Sequence, residues 1–249
     1  NCYNFEDFRK LAKKKLPAPF FHFIDGGADD EVTMNRNTDS FNDCDLVPNI
    51  LNSVGEPDLK TEVFGTKMDM PIFLSPTAMQ SLYHPDGDKA SARAAEKFGT
   101  IYSMSTMASF SIEEIANLSS GPKIFQLYIH KDQSITDDLI DRCKRANFNG
   151  MCITVDTIVA GNRERDHRTG FTTPPKFTLD SLMSFAMRPQ WVFNYFTNKK
   201  FELANLKDKV EKGTNIAQSV MGYINEQYDP AMNWKDAEYC IKKWDGPIA

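Results

Sequence analysis

The chain has 249 residues, 41% of them hydrophobic, enough to bury one large core, and α/β barrels run to this size as single domains. Its formal net charge of −5 supplies no basic footprint for a phosphate backbone, so nucleic acid is not expected as a partner. Five scattered cysteines (Cys2, Cys44, Cys143, Cys152, Cys240) contain no C-x-x-C pair, which argues against a disulfide framework or a zinc site and fits a reducing cytosol.

The chain opens at Asn1 rather than at a methionine, so residues upstream are expected. Phe5, Phe8, Leu11 and Ala12 recur at helical spacing, while Lys10, Lys13, Lys14 and Lys15 rule out a secretory leader in this stretch. Pro17 marks a boundary before a short apolar helix from Pro19 to Ile24. Gly26-Gly27 permits a turn, and Asp29-Asp30-Glu31 are suited to the first turn of a helix running towards Asp39. Residues Leu46 to Met70 carry β-like pieces at Leu46-Val47 and Glu62-Val63-Phe64 and read as a small antiparallel lid or barrel plug.

From Pro71 the pattern alternates. Ile72–Leu74 reads as a strand, Asp88–Phe98 as a helix, Ile101–Met104 as a strand and Ile112–Leu118 as a helix. Lys123–Leu127 follows as a strand, Thr136–Ala146 as a helix and Met151–Val155 as a strand. Alternation of this kind calls for a parallel sheet. Trp234, Ala237, Ile241 and Trp244 form a helical stripe, and Ile248-Ala249 would open a fifth strand. The expected fold is therefore a (β/α)8 barrel, of which this chain holds the N-terminal helices and roughly the first four to five strands. We expect one incomplete domain: helices and lid in 1–70, four βα units in 71–158, a long loop in 159–232, and a helix with the start of strand five in 233–249.

Each strand ends in polar groups: Ser75-Pro76-Thr77-Ala78, Ser105-Thr106, Gln126-Leu127-Tyr128 and Thr154-Val155-Asp156. Any one set reads as ordinary strand capping, but four in series point to the active-site end of a barrel. A planar heteroaromatic ring needs hydroxyl and amide partners from several strands around its edge and apolar walls on its faces, which makes flavin a good candidate. Pro76 fixes one backbone angle, and small Ala78 allows a ring to approach the main chain. His22, His84, His130 and His167 lack metal-ligand spacing, and no G-x-G-x-x-G or phosphate-loop sequence appears, so no metal and no nicotinamide or ATP site is indicated.

The stretches FHFIDGGADDEVT, SPTAMQ, FQLY, TVDT and GNRERD stand in the order and spacing of the FMN-dependent 2-hydroxy-acid dehydrogenases and oxidases. That family, which the chain resembles over nearly its whole length, includes flavin L-lactate dehydrogenase, mandelate dehydrogenase and glycolate oxidase. The resemblance implies FMN as cofactor, with Pro76, Thr77 and Ala78 beside it, the Ala78 N–H near flavin N5, and Ser105, Gln126 and Thr154 on its pyrimidine edge. It implies substrate contacts from Tyr128 and Arg163, although the run Asn162–Arg168 also reads as a solvated loop. Phe23 stands where most relatives carry a carboxylate-binding tyrosine, and Met107 where glycolate oxidases carry tryptophan. These departures predict weaker carboxylate binding and a more deformable pocket wall. By the same resemblance, no catalytic residue is expected within this chain, the base His and flavin Lys lying beyond Ala249.

Leu182 to Phe196 is apolar and aromatic, is interrupted by Arg188-Pro189-Gln190 and precedes Lys199-Lys200. It is too short to span a bilayer and is suited either to a membrane interface, through 182–200, or to packing on the barrel or a neighbouring subunit. The expected partners are a small L-2-hydroxy acid resembling lactate, a quinone or cytochrome as electron acceptor, and further copies in a homo-oligomer. The expected location is the cytoplasm, with peripheral contact at the inner face of the membrane. The alternative is a catalytically inactive half-barrel that serves as an interaction module or needs a complementary half.

Overall fold

The computed structural model describes residues 1–53, 55–156, 161–172, 176–198, 201–206 and 229–249. Three short helices come first: α1 (Phe5–Lys15), α2 (Ala18–Asp25) and α3 (Val32–Asp39). The third starts later than the acidic run predicts, because Asp29 and Glu31 have positive φ and leave the helical region. Glu31 is used instead as an acceptor for the Gly27 N–H, at 3.0 Å, and for Arg165. At Gly26 the constraint is space: a Cβ there would lie 2.7 Å from the His22 carbonyl and 2.9 Å from Cδ of Arg165.

A two-stranded antiparallel hairpin follows, β1 (Thr61–Val63) and β2 (Thr66–Met68). Leu46 and Val47 are exposed and belong to no strand, so that expectation fails. The remainder alternates as predicted: α4 (Gly87–Lys97), β3 (Tyr102–Ser105), α5 (Ile112–Leu118), β4 (Lys123–Tyr128), α6 (Gln133–Arg145) and β5 (Gly150–Thr154). After the long loop come α7 (Glu164–Thr169), α8 (Leu179–Ala186), α9 (Pro189–Thr197) and α10 (Trp234–Trp244). Ser111 and Glu114 cap α5 reciprocally, Asp132 caps α6 one turn earlier than the apolar stripe alone predicts, and Asn233 with Asp236 caps α10.

Strands β3, β4 and β5 form one parallel sheet in that order. Single parallel bridges, Leu74 with Tyr102 and Met151 with Ile248, add the first and fifth strands at its two edges. Side chains alternate across this sheet. Tyr102, Met104, Phe125, Leu127 and Met151 point outward and are fully buried. They pack in one cluster with Ile112 and Ile115 of α5, Leu139, Ile140 and Cys143 of α6, and Cys240 and Trp244 of α10. The stripe of α10 thus runs through Ala237, Cys240 and Trp244, whereas Trp234 is 82% exposed and Ile241 41%.

Ile124 points to the other face and packs with Met68 and Ile101 against Val63 and Phe64 of the hairpin. A Cβ on Gly150 would meet Ile124 at 3.2 Å and Phe64 at 3.4 Å, so glycine makes room for the hairpin between neighbouring strands. The hairpin is therefore the plug at the amino ends of the strands, which leaves the carboxyl ends free for chemistry. A three-stranded parallel sheet with a bridged parallel segment at each edge, helices outside and a plugged floor is the N-terminal part of a (β/α)8 barrel.

Candidate functional site

At the carboxyl ends of β3, β4 and β5 three predicted residues form one continuous chain of hydrogen bonds. The Ser105 hydroxyl donates to Oε1 of Gln126 at 3.1 Å, and Nε2 of Gln126 donates to Oγ1 of Thr154 at 2.5 Å. Ser105 is opposite Gln126 in the sheet register, while Thr154 lies two residues past Gln126's partner Cys152, so all three share the barrel-facing side. The row keeps donor capacity: Gln126 has a second N–H, and the Thr154 hydroxyl, acting as acceptor here, still has its own hydrogen to give. A hydroxyl–amide–hydroxyl row of this kind fits the alternating carbonyl and N–H edge of a flavin pyrimidine ring.

Thr106, fully buried, holds β4 against the end of β3 beside the row. Its hydroxyl donates to the Gln126 carbonyl at 2.7 Å and accepts the Tyr128 N–H at 3.2 Å, extending the β3–β4 pairing past the end of β3. Tyr128 lies two residues beyond Gln126 on the same strand face and is half-buried.

The loop after the first strand lies beside this row. Pro76 is exposed, Thr77 and Ala78 are half-buried, and the Met79 N–H donates to the Met107 carbonyl at 3.0 Å. Met107 is buried and its own N–H donates to the Ser105 hydroxyl at 3.1 Å. The backbone next to Ala78 is thereby joined, through Met107, to the Ser105–Gln126–Thr154 row.

Phe23 and Arg163 form a second group. The guanidinium carbon of Arg163 stands 4.9 Å from the centroid of the Phe23 ring, Nη2 donates to the Phe23 carbonyl, and Nε pairs with Asp166 at 2.8 Å. Phe171 packs on the same ring, with centroids 4.9 Å apart. The Phe23 ring thus serves Arg163 as its cation–π partner. The neighbouring Arg165 ties α7 to Asp25 at 2.9 Å and to Glu31, and Arg9 adds bonds of 2.5 and 2.9 Å to Asp25. The hydrogen bond from Arg9, together with its charge and that of Arg165, holds the Asp25 carboxyl below its usual range against the cost of burial. This network fixes where the second group stands.

Sequence reasoning gave no role to Asp88 and Asn205, and named Thr106 only as a strand-end polar residue beside Ser105. Asn205, also buried, accepts the Ile112 N–H at 3.0 Å and so ties the loop at 203–206 to the start of α5. Each looks like an ordinary helix or loop residue in the sequence, and only long-range pairing reveals it. Among the described residues no cluster of His, Cys, Asp and Glu could hold a metal ion.

Three comparisons bear on this arrangement. Residues 12–249 match the model of the FMN-dependent dehydrogenase family. The L-lactate dehydrogenase of Vibrio parahaemolyticus is 35% identical over 243 residues, which are 97% of this chain and 64% of that protein. The crystal structure of the monotopic membrane protein (S)-mandelate dehydrogenase superposes with a TM-score of 0.91 at 29% identity, covering 100% of this chain and 65% of its own. A mandelate oxidase with (S)-4-hydroxymandelic acid superposes with a TM-score of 0.79 at 27% identity, covering 98% of this chain and 62% of its own. The chain thus spans somewhat less than two thirds of the length of these relatives.

Proposed function

Because the chain belongs to the FMN-dependent dehydrogenase family, we propose that it carries the pyrimidine-edge part of an FMN site and one wall of a pocket for an L-2-hydroxy acid. The reaction is oxidation of a lactate-like acid to its 2-oxo acid, and the electrons pass to a quinone or cytochrome. The observation that carries this reading is the hydrogen-bonded row Ser105–Gln126–Thr154 across three adjacent parallel strands.

When bound, FMN supplies a hydride acceptor at its N5 atom. Ser105, Gln126 and Thr154 would hold the ring edge, and the Ala78 backbone, whose neighbour Met79 is tied to the Met107 carbonyl, would contribute its N–H to the same site. The Tyr128 hydroxyl donates a hydrogen bond to the substrate. Phe23 and Met107 form an apolar wall that excludes water and accepts a side chain larger than that of glycolate. Among the described residues Nε and Nη2 of Arg163 are used on Asp166 and Phe23, and Nη1 is the nitrogen proposed to meet a carboxylate.

Contact with a membrane is proposed through α8 and α9, where Leu182, Met183, Met187, Phe193 and Phe196 are exposed. The lysines 199 and 200 of this stretch lie outside the described residues. No helix among the described residues is long and apolar enough to cross a membrane. A homo-oligomer in the cytoplasm, bound peripherally at the inner face, is the setting we propose.

The test is optical. Purified chain mixed with FMN should quench flavin fluorescence saturably, and the protein extended past Ala249 to include the expected base His and flavin Lys, kept anaerobic with L-lactate or L-mandelate, should lose its visible flavin absorbance. Saturable binding without bleaching by any 2-hydroxy acid would instead support the inactive half-barrel, and absence of binding would remove the flavin reading altogether.

A further inference from the structure

Asp88 lies in the first turn of α4 with none of its surface exposed, and neither flavin nor substrate contact accounts for it. Both of its oxygens are used. Oδ1 accepts the Tyr102 hydroxyl at 2.9 Å, and Oδ2 accepts the Ser109 N–H at 3.0 Å. Ser109, itself buried, turns its hydroxyl to accept the Ser81 N–H at 3.0 Å. Two segments are joined here: 76–82, which carries Ala78 and ends in a short 3-10 turn at Gln80–Leu82, and 105–110, which leaves the last residue of β3, Ser105, and carries Met107.

The same helix turn holds the first loop from its other side. Ser91 donates to Oε1 of Gln80 at 2.7 Å, and Nε2 of Gln80 donates to the Thr77 carbonyl at 3.3 Å. Gly87 has φ of +38° and stands so close that a Cβ would lie 2.9 Å from the Ser81 nitrogen. The start of α4 is thus fitted to the backbone of the loop.

We propose that Asp88 is a positioning residue for the flavin site: acting through Ser109, it holds the Ala78 loop and the Ser105–Met107 loop in one fixed relation. The proposal rests on the flavin reading above. A buried carboxylate suits this role because it accepts two donors from different elements. An asparagine offers one oxygen and would present its NH2 to either the Tyr102 hydroxyl or the Ser109 N–H. Burial pushes the Asp88 carboxyl above its usual range, while the bonds from Tyr102 and Ser109 oppose that rise.

The test compares FMN affinity, by fluorescence titration of the chain, in wild type, Asp88→Asn, Ser109→Ala and Ser109→Thr. It is run where circular dichroism shows each variant folded. Ser109→Ala and Asp88→Asn should weaken FMN by about fivefold, the equivalent of one typical hydrogen bond. Both should also shift the long-wavelength absorption band of bound flavin, whereas Ser109→Thr, which keeps the acceptor, should bind as wild type does. Folded Ser109→Ala and Asp88→Asn with unchanged affinity and an unchanged band would overturn the proposal while leaving the flavin reading in place. Failure of both variants to fold would also overturn it, since the role would then be stability alone. A wild-type chain that binds no FMN would remove the flavin reading and this inference together.

Discussion

Gln126 gives the site its polarity because its amide stands in the middle of the row, receiving from Ser105 and giving to Thr154. Gln126→Leu keeps the volume and removes both functions. It should weaken FMN at least about tenfold, at a cost of one to two hydrogen bonds, with little change in melting temperature. A fluorescence titration giving the wild-type affinity would exclude Gln126 from the flavin edge. Phe23 makes the complementary case. Phe23→Tyr should restore a donor to the wall, and binding of a 2-oxo acid to the FMN-loaded chain should tighten by about tenfold or more, because the new bond is to a charged group. Equilibrium dialysis against labelled pyruvate measures it, and no change would place position 23 away from the carboxylate. Ser105, Gln126 and Thr154 were legible in the sequence because strand ends announce themselves locally. Asp88 was not, since its partners Tyr102 and Ser109 stand 14 and 21 residues away.

At the scale of elements, α5 was legible with its bounds Ile112–Leu118, while α10 was legible as a helix but not in its buried face, since Trp234 and Ile241 of the expected stripe are exposed and Cys240 is buried. The first strand was less so: Ile72–Leu74 has the right composition, but its strand pairing is a single bridge at Leu74, and Ile72 is 67% exposed. The aromatic stretch over α8 and α9 was read as either membrane-facing or packed, and its residues divide between packing and exposure. Trp191 donates to the Leu82 carbonyl at 2.8 Å and packs on Phe20 and Tyr195, with centroids 4.7 and 5.1 Å away. Phe193 and Phe196 are 63% and 79% exposed. Trp191→Ala should therefore destabilise the fold by about 2–4 kcal/mol, somewhat less than for a fully buried tryptophan. The double change Phe193→Ser and Phe196→Ser should leave stability within about 0.5 kcal/mol and reduce co-sedimentation with anionic vesicles. Urea melts and vesicle pelleting separate the two faces, and undiminished pelleting of the double variant would remove α9 from the membrane contact.

For the whole molecule, stability depends on which buried groups must change charge as pH falls. Burial holds the His130 imidazole down at about 4, against an ordinary value of 6.5, and His22 is lowered by burial as well. Between those two values the unfolded chain takes a proton at His130 that the folded chain refuses, so stability is complete above about pH 6.5 and falls as pH drops towards 4. The loss from His130 is on the order of 3 kcal/mol. Glu113 acts lower down. The Arg142 fork, with bonds of 2.7 and 2.8 Å, holds its carboxyl at about 2, so the link between α5 and α6 contributes above pH 4.5 and disappears as pH falls through about 2. Asp88 and Asp166, raised by burial, act in the opposite sense, because the folded chain holds their protons more tightly than the unfolded one. The net slope between pH 6.5 and 4 should consequently be smaller than His130 alone would give. His130→Gln isolates the imidazole: urea denaturation at pH 7 and pH 5 should show wild type losing more stability over that interval than the variant. Equal losses in the two proteins would mean that the His130 ring is protonated as readily in the fold as in water.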